Sequence, residues 1–318
     1  MKARLARGLL LVAAALLACP ALSQDRDVAQ QRHRDACVAK GWVEAAFQIA
    51  GLRRTLFWKG PAEPWSRGAI LVLHGGGGSA AHFCGDGWLV GPQIEFAEMA
   101  LAAGFAVFAL EATVDVVTDA AGDPCGKRFD SAGLDRPNVD LPYIEHIVRR
   151  FIPEARPPGS GEAIFVTGLS SGGYMTIRAA REFPDLIAAF APVAAGDPRH
   201  TLQVCDESLS SRKVAKGIFL DRDSRIVITR DGACEAGIGD IPAEPATPTG
   251  PPFRQFHHRQ DGIVDLSCMR KAERALAGDG FRNDGPFILD NGGRRRLLLH
   301  LWQSDYNAPL IEFFAGQT

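Results

Sequence analysis

The sequence predicts an α/β fold: a mostly parallel central sheet with helices on both faces. Three observations predict it. Short, continuously apolar runs recur at 69–73, 105–110, 163–167 and 186–193. Segments with helical spacing of apolar residues fall between them, at 93–103, 139–151 and 174–183. Glycine clusters lie within a few residues after two of the runs, at 75–78 and 172–173. A strand buried on both faces reads as continuously apolar, and parallel neighbours need a helix in each crossover. In such sheets the chemistry lies outside the carboxyl ends of the strands.

In chain order, the first segment reads as a leader. Lys2, Arg4 and Arg7 precede an apolar run over 8–18, too short to cross a bilayer, and the small residues Ala21 and Ser23 follow. That arrangement predicts a secretory signal over 1–23, cleaved after Ser23, and a secreted or periplasmic protein with no membrane span. Leu16-Leu17-Ala18-Cys19 also resembles a bacterial lipobox, but Pro20 and the Ala-Leu-Ser site favour simple secretion over a lipid on Cys19. The formal net charge of −2 becomes −5 once Lys2, Arg4 and Arg7 leave. A mildly acidic chain is not expected to bind nucleic acid or an anionic membrane through bulk charge.

Residues 24–318 are expected to form one domain, and 46% hydrophobic residues suffice for a large core. Segments 43–49 and 52–58 read as a hairpin turning near Gly51. After 193 the rhythm breaks. Residues 197–252, with two cysteines and a proline-rich end, read as an insertion over the active face. Segments 254–257, 267–277, 297–302 and 309–314 then resume the strand–helix alternation. Besides Cys19 there are six cysteines, Cys37, Cys84, Cys125, Cys205, Cys234 and Cys268. An even count in an oxidising compartment points to disulfides, with 15 pairings open.

The strongest chemical signal is Gly168-Leu169-Ser170-Ser171-Gly172, between an apolar strand and a helix. A nucleophile raised above the sheet sits on a sharp turn, and its neighbours must be small enough for strand and helix to approach. Ser170 is therefore the expected nucleophile. The helix start aims backbone N–H groups at developing negative charge. One oxyanion donor should be Ser171. The other should come from His74-Gly75-Gly76-Gly77-Gly78, with Gly76 the first choice and Gly77 the second. No Gly-Lys-Ser/Thr follows these glycines, which argues against a phosphate loop. His74 reads as structural.

A serine nucleophile needs a base oriented by a carboxylate, in the chain order Ser, Asp or Glu, His. Asp261 falls between a strand and a helix, where the acid belongs; Asp265 is the alternative, or simply caps that helix. Only His300 follows Asp261 among eight histidines, so it is the base by elimination. Its apolar surroundings at 297–302 read as a strand, which leaves His257, His258 and His200 as alternatives. Tyr174 and Trp302 are expected to bind substrate, with Phe83, Trp88 and Tyr306 as further aromatic candidates.

At these residues the chain resembles the extracellular polyhydroxybutyrate depolymerase and feruloyl esterase group of α/β-hydrolases. The matching pieces are LVLHGGGG at 71–78, CGKRFD at 125–130, VTGLSSGGYM at 166–175 and HHRQDGIVD at 257–265. The resemblance extends over roughly 65–315 and implies an α/β-hydrolase fold. It also implies a serine esterase with no metal or organic cofactor, acting on small or polymeric esters of hydroxyacids or aromatic acids. It places Asp261 at the group's acid position. The sequence departs from the group in having His258 where glycine is usual. It also keeps only the His–x–Trp spacing, at His300-Leu301-Trp302, of the group's histidine segment. Two other readings compete: a serine peptidase of the prolyl-oligopeptidase type, and a secreted binding protein that retains the fold without catalysis.

Overall fold

The computed structural model describes residues 23–61, 64–118, 124–131, 137–199, 217–220, 226–229, 249–291 and 298–318. The expected signal peptide, its cleavage site and Cys19 lie outside these residues or at their edge. So do His200, Cys205, Cys234 and most of the expected insertion.

The strands are β1 (Val43–Ile49), β2 (Leu52–Lys59), β3 (Ala69–Leu73), β4 (Ala106–Leu110), β5 (Thr113–Thr118), β6 (Pro124–Arg128), β7 (Ile164–Leu169), β8 (Ala189–Val193), β9 (Gly217–Leu220), β10 (Ile226–Thr229), β11 (Gly250–Phe253), β12 (Phe256–His258), β13 (Phe281–Asn283) and β14 (Phe287–Leu289). The helices are α1 (Ser23–Ala39), α2 (Gly91–Ala102), α3 (Leu141–His146), α4 (Ile152–Ala155), α5 (Ser171–Glu182), α6 (Leu266–Gly278) and α7 (Asn307–Ala315). One π-type turn, Ile147–Phe151, joins α3 to α4.

Ten strands form the main sheet in the order β1-β2-β4-β3-β7-β8-β11-β13, with β12 pairing β8 and β14. Within this sheet the pairs from β4 onward in that order are parallel, and the β1–β2 and β2–β4 pairs are antiparallel; β5–β6 and β9–β10 are separate antiparallel pairs. The β1–β2 hairpin turns on Ala50 (φ 51°) and Gly51 (φ 78°), the paired positive φ of a two-residue turn that matches strand twist.

The pleat divides the core in two. Ile70 and Val72 of β3 and Val107 and Ala109 of β4 face a layer made with Phe96 and Ala100 of α2 and Leu310 and Phe314 of α7. Their strand neighbours Leu71, Leu73, Phe108 and Leu110 face Ile144 of α3, Met175 and Ile177 of α5 and Leu276 of α6. β3, β4, β7 and β8 are buried at every position, so no polar alternation marks them. Each large apolar side chain removed from water there contributes about 1.5–3 kcal/mol.

Three expectations about the elements need correction. The described part of the run at 297–302 is not a strand: Leu298–His300 is a single 3-10 turn outside the sheet. The run at 254–257 is broken, because β11 ends at Phe253 and β12 begins at Phe256. The insertion ends earlier than 252, since Gly250–Phe253 is a sheet strand. Its Pro251 and Pro252 have no N–H to donate, and its pairing with β13 shifts register between Gly250 and Pro252. Where the chain leaves β8, Arg181 of α5 grips Asp197 through two bonds of 2.8 and 2.7 Å.

Cys37 of α1 is bonded to Cys84, which ties that helix to the 3-10 turn Ala80–Phe83. Cys268 is also disulfide-bonded. Among the described residues no helix is long and apolar enough to cross a membrane.

Candidate active site

In-register pairing brings several strand ends to one edge. Leu73 pairs with Leu110 and Gly168, Leu169 pairs with Val193, and Val193 pairs with Phe256. The residues that follow, Glu111, His74, Ser170 and His257, therefore emerge side by side at the carboxyl edge of the sheet.

Ser170 occupies the step between β7 and α5 with φ 51° and ψ −115°, a strained conformation for a side-chain-bearing residue. Such strain costs on the order of 1–3 kcal/mol and persists only where neighbours enforce it. Here the Ser170 N–H donates to the Val193 carbonyl (2.9 Å), and its carbonyl accepts the first helical N–H, from Tyr174 (2.8 Å). The flanking glycines are sterically required. A Cβ on Gly172 would stand 2.2 Å from the Leu73 carbonyl oxygen, and one on Gly168 would stand 2.6 Å from Gly172. Gly173 is equally confined, 2.7 Å from Ala195 Cβ. The same packing presses the start of α5 against the end of β3, where the glycine loop begins.

That loop distinguishes its own N–H groups. Gly77, in a positive-φ conformation (76°), donates to the Lys127 carbonyl (2.8 Å), and Gly78 donates to the Gly75 carbonyl (3.0 Å). The Gly76 N–H makes no hydrogen bond among the described residues. His74 is fully buried: its Nε2 accepts the Ala112 N–H (3.1 Å), which puts the ring proton on Nδ1, facing the Gly75 carbonyl at 2.7 Å. It holds the loop in shape, as its sequence context suggested.

Asp261 lies in the turn after β12, buried. Its Oδ1 accepts the N–H groups of Ile263 (2.7 Å) and Val264 (3.0 Å), and its Oδ2 is 2.8 Å from His300 Nδ1. Burial alone would raise its carboxyl; the charge and hydrogen bond of His300 outweigh that and hold it below the usual range. His300 is buried except for a tenth of its side chain, and its Nε2 makes no hydrogen bond among the described residues.

The alternatives have other occupations. Asp265 caps α6, accepting the Ser267 N–H (3.0 Å). His258 is spent on Asn291 Oδ1 (3.0 Å) and the Gln260 N–H (3.0 Å). His257 Nε2 lies 3.7 Å from Asp261 Oδ2, farther than His300, and faces the Val264 carbonyl at 3.0 Å. Burial pushes its ring below the ordinary histidine value.

No protein-family model matches the chain. It is 32% identical over 144 residues to "Putative esterase NocK" from Nocardia uniformis subsp. tsuyamanensis, a match covering 45% of this chain. The chain spans 37% of the length of that relative. Among solved structures, esterase Est22 superposes with TM-score 0.57 at 15% identity, covering 96% of this chain and 92% of that one. A thermostable esterase gives 0.52 at 18% identity, with 87% and 63% covered. The fold is that of the α/β-hydrolases.

Pyrococcus horikoshii acylaminoacyl peptidase has the same α/β-hydrolase fold, with TM-score 0.51 at 15% identity over 86% of this chain and 41% of that one. The aromatic residues do not form the expected wall. Trp302 is core: it packs on Phe83 and Phe96, and its Nε1 donates to Asn307 Oδ1 (2.8 Å). Phe83 and Tyr306 are fully buried, and Trp88 alone of the four is exposed. Tyr174 is buried beside Ala195, Val264 and Cys268, and burial raises its hydroxyl further above the usual range.

Proposed function

We propose that the chain is a secreted carboxylic-ester hydrolase working by Ser-His-Asp acyl transfer. The observation that carries this reading is the 2.8 Å contact between His300 Nδ1 and buried Asp261, on the same sheet edge as the strained Ser170. Ser170 attacks the ester carbonyl while His300 Nε2 takes its proton. Asp261 fixes the imidazole and stabilises its charged form. The N–H groups of Ser171 and Gly76 hold the oxyanion, the alcohol leaves with the proton from His300, and water then releases the acid. The esterase names of the sequence relative and the structural neighbours support ester over other acyl substrates. Hydroxyacid polyesters or aromatic acid esters are the substrates that the resemblance in sequence suggests. Disulfide bonding at Cys37, Cys84 and Cys268 supports export.

A fluorophosphonate probe tests the reading. The parent protein is expected to label, and Ser170→Ala and His300→Ala to label weakly or not at all. An unlabelled parent would falsify the hydrolase assignment; full turnover in His300→Ala would overturn the base alone. The peptidase reading is favoured by its shared fold with the acylaminoacyl peptidase. Faster cleavage of a prolyl anilide than of a nitrophenyl ester would establish it instead. N-terminal sequencing of the exported protein should begin at Gln24, and a start at Met1 would refute signal cleavage.

A further inference from the structure

Glu111 directly follows β4 on the edge that carries the glycine loop, and acyl transfer as described makes no use of it. Its side chain is 13% exposed. Oε2 accepts the Ala80 N–H at 3.0 Å. Oε1 stands 3.4 Å from Lys127 Nζ and 3.5 Å from His74 Nε2, a nitrogen already engaged by Ala112. All three neighbours frame the glycine loop. His74 opens it, and Ala80 lies at its exit. Lys127 flanks it, receiving the Gly77 N–H on its carbonyl and bridging Gly78 in antiparallel fashion. Burial would raise the Glu111 carboxyl, but the Lys127 ammonium and the Ala80 N–H oppose it, and the carboxyl is held below its usual range. It is therefore charged at any assay pH.

A run of four glycines has no side chains of its own to hold it, and each glycine ranges widely in φ and ψ. An oxyanion donor is effective only when aimed before the charge develops. We infer that Glu111 is a positioning residue: its carboxylate braces Ala80 and Lys127 on either side of the loop and so keeps the Gly76 N–H aimed at the oxyanion. The inference rests on the serine-esterase reading above.

The test uses the whole purified protein with Glu111→Gln and Lys127→Met, a nitrophenyl butyrate and an alkyl boronic acid. The amide of Glu111→Gln still accepts from Ala80 but loses its charge toward Lys127. Both variants should lose about 10- to 100-fold in kcat, less than the 10²–10³ lost when a donor is removed outright. KM should stay within about twofold, because a misaimed donor weakens only the transition state. Affinity for the boronic acid, which forms a tetrahedral adduct, should fall by the same factor as kcat. If Glu111→Gln fails to fold, Lys127→Met, on a side chain 27% exposed, decides alone. An unchanged kcat with a lowered Tm would make Glu111 a structural anchor and overturn the inference while leaving the esterase reading intact. An inert parent would sink both.

Discussion

His300 and Asp261, 39 residues apart in the chain, meet with Nδ1 and Oδ2 2.8 Å apart in a buried turn. The other carboxylate oxygen is fixed by two backbone N–H groups, so Asp261 cannot rotate away. Asp261→Asn is the discriminating substitution. Its amide oxygen can keep the two turn N–H groups, while its NH₂ would face His300 Nδ1 and favour the wrong tautomer. We expect kcat to fall by about 10⁴ with little change in Tm. Esterase assays and thermal denaturation of the same preparation check it; a loss under tenfold would remove Asp261 from the mechanism.

Gly172→Ala should be among the most damaging single methyl additions in the molecule. The new Cβ would meet the Leu73 carbonyl oxygen at 2.2 Å and that of His74 at 2.6 Å, both backbone atoms that cannot swing aside. Overpacking commonly costs about 1–3 kcal/mol, and a clash with two strand-end carbonyls belongs at or above the top of that range. Urea denaturation should show the loss, with activity falling too as α5 is pushed off β3. A near-neutral variant would mean that the elbow is looser than its geometry implies.

Where burial is complete the sequence was easy to read, and where tertiary contacts decide it was not. The runs at β3, β4, β7 and β8 have no polar face, so their apolar continuity located them within about three residues. Gly168-Leu169-Ser170-Ser171-Gly172 was legible because its glycines answer to sterics alone. The surroundings of His300 misled for a physical reason: a short 3-10 turn of leucines is as apolar as a strand and too short to display a period. Trp302 was ambiguous for the same reason, since a ring beside a histidine can face a pocket or the core. The sequence reading also passed over Glu111, although an acid directly after a parallel strand is a signal that could have been followed.

The Cys37–Cys84 bond closes a 47-residue separation and is almost completely buried, at 0% and 1% exposure. For a loop of that size the chain-entropy model gives about 4 kcal/mol. The double variant Cys37→Ser, Cys84→Ser should lose roughly 2–4 kcal/mol in denaturant titrations at pH 7. In the native parent the bond should resist mild reductant until the protein unfolds, because no thiolate can reach it. Rapid reduction under native conditions would show that α1 detaches readily from the turn that follows the glycine loop.

His82 supplies an acid-side prediction. It lies in the turn after the glycine loop, its ring edge-on to His33 (6.2 Å) and its Nδ1 3.1 Å from where a Cβ on Gly78 would be. Burial above all lowers its pKa from 6.5 to about 3, against the opposing pull of Glu111. Between those two values the unfolded chain binds a proton that the folded chain refuses. Stability must therefore rise with pH across that window and decline as pH falls from 6.5 toward 3. Replacing the ring by a side chain that does not titrate, His82→Gln, removes this contribution without touching Ser170, Asp261 or His300. Urea midpoints at pH 7 and pH 4.5 should then differ less in the variant than in the parent. Equal differences would mean that the ring is solvated well enough to be protonated in place, and that the acid sensitivity of the fold has its origin in other groups.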